Sequence, residues 1–289
     1  MPPNPATESQ TPCQSTNDMP ELPEVETSLR GIEPHLSGRQ ILRLVARERR
    51  LRWPVSPSVD EAVAGRRIIG LHRRAKYLLL ELEQGALMLH LGMSGSLRVL
   101  PADTPPGPHD HIDLVLTDGR CLRLCDPRRF GSLHWVPLPV ENHPLLRELG
   151  PEPLSDAFDG AYLRQRARGR RCAVKGFIMD SRIVVGVGNI YASESLFMAR
   201  IHPHRPAGRI GPERYDRLAD SIKLVLAAAI AEGGTSLRDF VQEDGKPGYF
   251  AQQLRVYGRN GKPCPGCGEA IRQQRIGQRS SFYCARCQR

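Results

Sequence analysis

No apolar run in this 289-residue chain reaches the roughly 18 residues that a membrane-spanning helix needs, so a helical span is excluded. The first 18 residues contain no Lys or Arg and no apolar core, and therefore read as neither a secretory signal nor a transit peptide. They are rich in Pro, Ser, Thr and Asn, and disorder is expected there. Acidic residues are comparatively few: 31 Asp and Glu against 41 Lys and Arg, for a net charge of +10 and a pI of about 9.5. That balance suits a polyanionic partner, because Lys and Arg contacts to phosphate supply most non-specific nucleic-acid affinity; a merely soluble basic protein shares it. Four of the eight cysteines fall in one tight set near the C-terminus, which argues for a metal and against a disulfide framework. The length is enough for two domains of ordinary size.

What the chain does have begins at Met19. Met19-Pro20-Glu21-Leu22-Pro23-Glu24-Val25-Glu26 reads as a translation start inside the chain, since a methionine before a small residue is a good substrate for methionine removal. Removal would leave Pro20 as a free secondary amine with a pKa of roughly 8, uncharged for a useful fraction of time near neutral pH. Such an amine can attack a sugar C1′ and form an iminium, with Glu21 beside it as a proton source. The plainer reading is a Pro-rich linker whose carboxylates favour the N-terminus of the next helix.

Val25, Leu29, Ile32 and Leu36 are spaced four, three and four, which predicts a helix that stops near Gly38. From residue 39 to 137 the period changes to two. Strands are predicted over 41–45, 68–71, 77–82, 86–91, 97–100, 112–116, 121–125 and 133–136, with a hairpin at Asp118-Gly119. Eight short strands suggest a sandwich or barrel. Cys121 and Cys125 share a strand face and read as core. A Pro- and Gly-rich stretch over 137–153 reads as a hinge. Beyond it helices are predicted over 161–168, 189–199, 212–232 and 237–241, with a loop over 245–248.

Cys264-x2-Cys267-x16-Cys284-x2-Cys287 places four thiolates for one tetrahedral Zn²⁺, and four sulfur ligands leave no open position, so the metal is structural. The ribbon between the pairs carries Arg272, Arg275 and Arg279, which would face phosphates; any one of them alone reads as a solvated charge. Lys76, opening an apolar strand, reads as a solvated edge residue. Met93 reads as core, and 126–131 as a charged turn. His109-Asp110-His111 is weak evidence for a metal, having no third ligand nearby. The basic run 164–175 reads as a solvated face.

Pro20-Glu21-Leu22-Pro23-Glu24-Val25-Glu26 resembles the opening of the bacterial formamidopyrimidine-DNA glycosylases, the 8-oxoguanine repair enzymes, and the likeness runs from Met19 to the C-terminus. Val187-Gly188-Asn189-Ile190-Tyr191-Ala192-Ser193-Glu194 is similar to that family's helix–two-turn–helix signature, and Gln278-Arg279-Ser280-Ser281-Phe282-Tyr283-Cys284 to its zinc ribbon. The resemblance implies that Pro20 is the nucleophile, that Glu21 is the acid, that Lys76 serves β-elimination, and that Arg279 contacts the damaged strand and serves δ-elimination. It implies that Met93, Arg128 and Phe130 fill the gap left by a flipped base, with Arg128 facing the orphaned cytosine. His109, Arg170, Lys175 and Asn189 become phosphate contacts, Asn189 from a helix N-terminus. The stretch 235–253 reads as a lid over the flipped base. An amide-bonded Pro20 has no nucleophilic lone pair, so the 18-residue leader is the departure from the family pattern.

The expected fold is α+β: an N-terminal β-sandwich flanked by helices over 19–150, a helical helix–two-turn–helix domain over 151–254 and a zinc finger over 255–289, behind a disordered or removed leader over 1–18. The expected function is a base-excision-repair glycosylase and abasic-site lyase acting on damaged double-stranded DNA. It is expected to be a monomer with one structural zinc and no membrane partner, cytoplasmic and associated with the nucleoid. Two alternatives stand beside it: an endonuclease VIII-type oxidised-pyrimidine glycosylase, and a non-catalytic damage-binding protein in which the leader caps Pro20.

Overall fold

A computed structural model describes residues 20–234 and 253–289. The leader, the predicted 237–241 helix and all of the 235–253 lid but its last residue lie outside the described residues.

The chain enters through α1 (Leu22–Leu36), which buries Val25, Leu29, Ile32 and Leu36 as the periodicity predicts. Eight strands follow: β1 (Ile41–Ala46), β2 (Gly70–Arg74), β3 (Tyr77–Leu82), β4 (Gly85–His90), β5 (Ser96–Pro101), β6 (Asp110–Leu116), β7 (Arg120–Cys125) and β8 (Ser132–Pro137). They form two antiparallel sheets ordered β1-β6-β7-β5 and β2-β3-β4-β8. Ile41, Leu44, Leu114 and Leu122 of one sheet share a core with Leu78, Leu80, Leu87 and Leu133 of the other, and α1 closes its end. The outer face of the second sheet is covered too, by Leu146 and its neighbours over Leu79 and Met88. Burial on both faces explains why β3 is an almost unbroken apolar run. Cys121 and Cys125 are buried core residues.

The second body is helical: α3 (Gly160–Ala167), α4 (Val174–Met179), α5 (Asn189–Met198) and α6 (Pro212–Ala231), around Phe158, Phe177, Tyr191, Tyr215 and Ile222. Pro212 opens α6, where a missing N–H costs nothing. The last unit is a hairpin of β9 (Arg272–Ile276) and β10 (Arg279–Tyr283), seated on the helical body. The Glu194 carboxylate of α5 accepts the N–H groups of Arg255, Val256 and Tyr257 at 2.8–2.9 Å. Gln288 donates to the Ile201 carbonyl and accepts the Cys284 N–H, both at 2.9 Å.

Two features differ from the expectation. The second strand lies later than 68–71, because its pairing with β3 runs through Arg73 and Arg74, whose guanidiniums are neutralised by acids elsewhere in the fold. Two six-residue helices, α2 (Ser58–Val63) and α4, are too short to set up a readable period. Among the described residues no helix is long and apolar enough to cross a membrane.

Candidate active site and zinc centre

The N-terminal end of α1 is built from both bodies. Glu21 is its N-cap residue, and the Glu21 N–H donates to the Glu24 carboxylate at 3.0 Å, as in a capping box. The other Glu24 oxygen accepts the Tyr191 hydroxyl of α5 at 2.6 Å. The Glu21 side chain turns the opposite way. Its carboxylate accepts the N–H groups of Gly188 at 2.8 Å, Ile190 at 2.9 Å and Tyr191 at 3.4 Å, the free donors at the start of α5. A Cβ on Gly188 would sit 2.1 Å from the Glu21 carboxyl carbon, so only glycine fits there. The Val187-Gly188-Asn189 motif therefore has a steric reason.

Burial raises the Glu21 carboxyl from 4.5 to about 7; the Lys76 ammonium pulls it down and Glu24 pushes it up. A group of that kind holds a proton near neutrality and can still release it. Lys76 sits with Ala75 in the two-residue turn between β2 and β3, half-buried rather than on a solvated edge. Burial pushes its ammonium below the ordinary lysine range, against the pull of Glu21 and Glu24, and the Arg279 cation lowers it further. Ala75 is held at φ 55°, an uncommon conformation for a residue with a Cβ. Glu152 holds it there: its carboxylate accepts the Ala75 N–H at 2.7 Å, Arg73 at 2.7 Å and Arg74 at 3.0 Å. Sequence reasoning passed over Glu152; the only local signal is an acid flanked by Pro151 and Pro153 in the hinge.

Next to this cluster is an open cavity of about 680 Å³, lined by Met93, Arg128, Phe130 and Arg279, with Arg52 and His90 among its other walls. Arg128 holds its guanidinium carbon 4.9 Å from the centre of the Phe130 ring, and Phe130 remains 42% exposed. The pair sets an exposed aromatic face beneath a cation on the cavity wall. Burial, then the Lys76 and Arg52 cations, lower His90 to about 4, so its imidazole is neutral at physiological pH.

The remaining candidates lie further out. His109 is half-buried, its carbonyl accepting the Asp126 N–H at 2.9 Å. Arg170 is exposed beyond α3. Neither lines the cavity. Lys175 is not on the solvated face that the charge run suggests. It is 1% exposed, and its ammonium donates to Asn189 Oδ1 at 2.7 Å, Ser281 Oγ at 2.9 Å and the Ser280 carbonyl at 3.1 Å. Burial lowers it to about 8. It ties α4 and α5 to the hairpin that carries Arg279. At the α5 N-terminus the free N–H groups of Gly188, Ile190 and Tyr191 are taken by the Glu21 carboxylate, and the Asn189 amide bonds Lys175 and the Tyr257 hydroxyl.

Cys264, Cys267, Cys284 and Cys287 bring their sulfurs within 4.8 Å of one another, the only group of three or more such donors among the described residues. The Cys264–Cys287 and Cys267–Cys284 separations are 3.9 and 3.5 Å. Four bonds of about 2.3 Å at tetrahedral angles separate sulfurs by about 3.8 Å, so the set fits one Zn²⁺. The metal would fix the hairpin and supply no chemistry. Arg272, Arg275 and Arg279 all lie exposed on that hairpin.

Three family models match in succession: the formamidopyrimidine-DNA glycosylase N-terminal domain over residues 19–133, the formamidopyrimidine-DNA glycosylase H2TH domain over 149–241, and a zinc finger found in FPG and IleRS over 261–289. The chain is 61% identical over 277 residues to a formamidopyrimidine-DNA glycosylase of Alkalilimnicola ehrlichii, covering 94% of this chain and all of that one. Among solved structures it is similar to the MutM (Fpg) protein of Thermus thermophilus, with a TM-score of 0.84, 41% identity and coverage of 93% and 98%. It is similar also to the Lactococcus lactis Fpg in complex with FAPY-dG containing DNA, with a TM-score of 0.85, 32% identity and coverage of 93% and 100%.

Proposed function

The chain belongs to the formamidopyrimidine-DNA glycosylase family, and from that premise we infer a base-excision-repair enzyme that removes oxidised purines from duplex DNA and then cuts the strand at the abasic site. The substrate class is 8-oxoguanine opposite cytosine together with ring-opened formamidopyrimidines. The observation that carries the site assignment is the convergence of Glu21, next to Pro20, with Lys76 and Arg279 from three separate elements, Arg279 also lining the cavity.

In this reading Pro20 is the chain terminus of the working enzyme. The family match beginning at residue 19 supports it. The secondary amine attacks C1′ of the extruded nucleotide while Glu21 gives its proton to the ring oxygen, and the base leaves with the glycosidic electron pair. The iminium acidifies the C2′ proton. Its loss expels the 3′ phosphate, and a second elimination expels the 5′ phosphate. The Lys76 and Arg279 cations sit where they can hold those phosphates as charge develops. Met93, Arg128 and Phe130 enter the gap in the duplex. His109, Arg170 and Asn189 hold the backbone, and Lys175 positions Asn189 and the zinc hairpin beneath it. The protein works as a cytoplasmic, nucleoid-associated monomer.

The test is borohydride trapping on an 8-oxoguanine duplex, followed by peptide mapping of the adduct. The adduct is expected on a peptide that begins at Pro20. An adduct on Lys76, or trapping by protein that still carries residues before Pro20, overturns the mechanism.

A further inference from the structure

Two loops carry the three gap-filling side chains. Met93 comes from the turn between β4 and β5, and Arg128 and Phe130 come from the turn between β7 and β8. Side chains meant to enter a duplex together must keep a fixed relation before it arrives, since a misplacement of about 1 Å can cost on the order of 100-fold in rate.

A half-buried serine and a buried aspartate join the loops. The Ser94 hydroxyl donates to Asp126 Oδ1 at 2.6 Å, and the same Ser94 oxygen accepts the Arg128 N–H at 3.1 Å. Asp126 is fully buried, and its other carboxylate oxygen accepts the Gly131 N–H at 2.7 Å. The Asp126 carbonyl accepts the Arg129 N–H at 3.1 Å and bonds His111 Nε2 at 2.9 Å. The backbones touch as well. Gly92 has φ 66°, and a Cβ there would lie 2.4 Å from the Phe130 carbonyl carbon. Ser94 thus reaches from Met93's own turn to the peptide that launches Arg128.

We propose that Ser94 and Asp126 are positioning residues that pin the two loops into one wedge, and that Ser94, through the Arg128 backbone, sets the preference for the base opposite the lesion. The proposal rests on the gap-filling reading of Met93, Arg128 and Phe130. Neither Ser94 nor Asp126 touches the reacting atoms. Removing the hydroxyl leaves one oxygen of a buried carboxylate and one backbone donor without their partner, and the Arg128 loop loses its fixed register.

Single-turnover excision of 8-oxoguanine opposite cytosine and opposite adenine tests this with Ser94→Ala, Ser94→Thr and Met93→Ala. Cleavage of an abasic site in a single-stranded oligonucleotide, which offers no opposite base, serves as the companion measurement. Ser94→Ala is expected to excise about 10- to 30-fold more slowly opposite cytosine, the equivalent of one buried hydrogen-bonding group left unpaired. Its preference for cytosine over adenine shrinks, its single-strand cleavage is unchanged, and Ser94→Thr restores both rate and preference. Wild-type rate and preference in Ser94→Ala, together with slow excision by Met93→Ala, overturn the pin alone. Wild-type excision by Met93→Ala overturns the gap-filling reading and the pin with it. Equal losses of duplex and single-strand cleavage in Ser94→Ala show a merely structural role and also overturn the proposal.

Discussion

Glu21 combines two demands that usually conflict. Three main-chain N–H groups favour its anion, yet burial wins and lifts the carboxyl to about 7. Because the folded value lies above the unfolded one, the native state keeps a proton that the unfolded chain gives up between about pH 4.5 and 7. Wild type therefore loses stability relative to Glu21→Gln as pH rises through that window. At roughly 1.4 kcal/mol per unit the relative change approaches about 3 kcal/mol. Urea unfolding of both proteins at pH 5 and pH 8 measures it, and a difference that stays flat with pH contradicts the burial argument. In the proposed reaction the acid form is the working one. Excision by wild type should fall as pH rises through about 7, opposed by the proline amine, which gains with pH toward roughly 8. Glu21→Gln should bind the lesion duplex and fail to excise it; unchanged excision refutes the acid role.

Each side chain proposed to act in the reaction depends on an element that something distant holds still. The turn bearing Lys76 is held by Glu152, 77 residues from the backbone donor it accepts. Glu152→Gln removes a charge that engages two guanidiniums and a backbone N–H. We expect a stability loss of about 1–3 kcal/mol and β-elimination slower by on the order of 10- to 100-fold. Zinc content should not change; the readouts are thermal melting, abasic-site cleavage and metal analysis. The zinc hairpin behaves oppositely: Cys284→Ser should lose the metal, and duplex binding should weaken with it, because the ribbon folds around its ion. Tight binding without zinc rules this out. These dependences mark the limit of what the sequence shows. The α1 stripe, the eight strands and the spaced cysteines are written in local periods and short spacings. Glu152, Ser94 and Asp126 act across 32 to 77 residues, and nothing beside them signals a partner. Lys175 misleads for the same reason: it closes an arginine-rich run in sequence and meets Ser280, Ser281 and Asn189 in space.

At the scale of the whole molecule, charge decides how the protein meets its substrate. The net charge is +10, and five cations, Lys76, Arg170, Arg272, Arg275 and Arg279, are placed by the reading above against phosphate. Five such contacts give a slope of about −4.5 for log affinity against log salt, so a fourfold rise in salt should weaken binding roughly 500-fold. Fluorescence anisotropy across a salt series reads the slope, and a value shallower than about −2 contradicts the assignment. The carboxylate proposed to give up the proton is contributed by one body, and the amides that cradle it by the other. Amides are the same whatever the side chain, so the cradle carries almost no sequence information beyond Gly188. A hybrid gene with its crossover in the 138–159 connector, drawing each half from a different relative, should keep a competent acid wherever that one glycine is inherited.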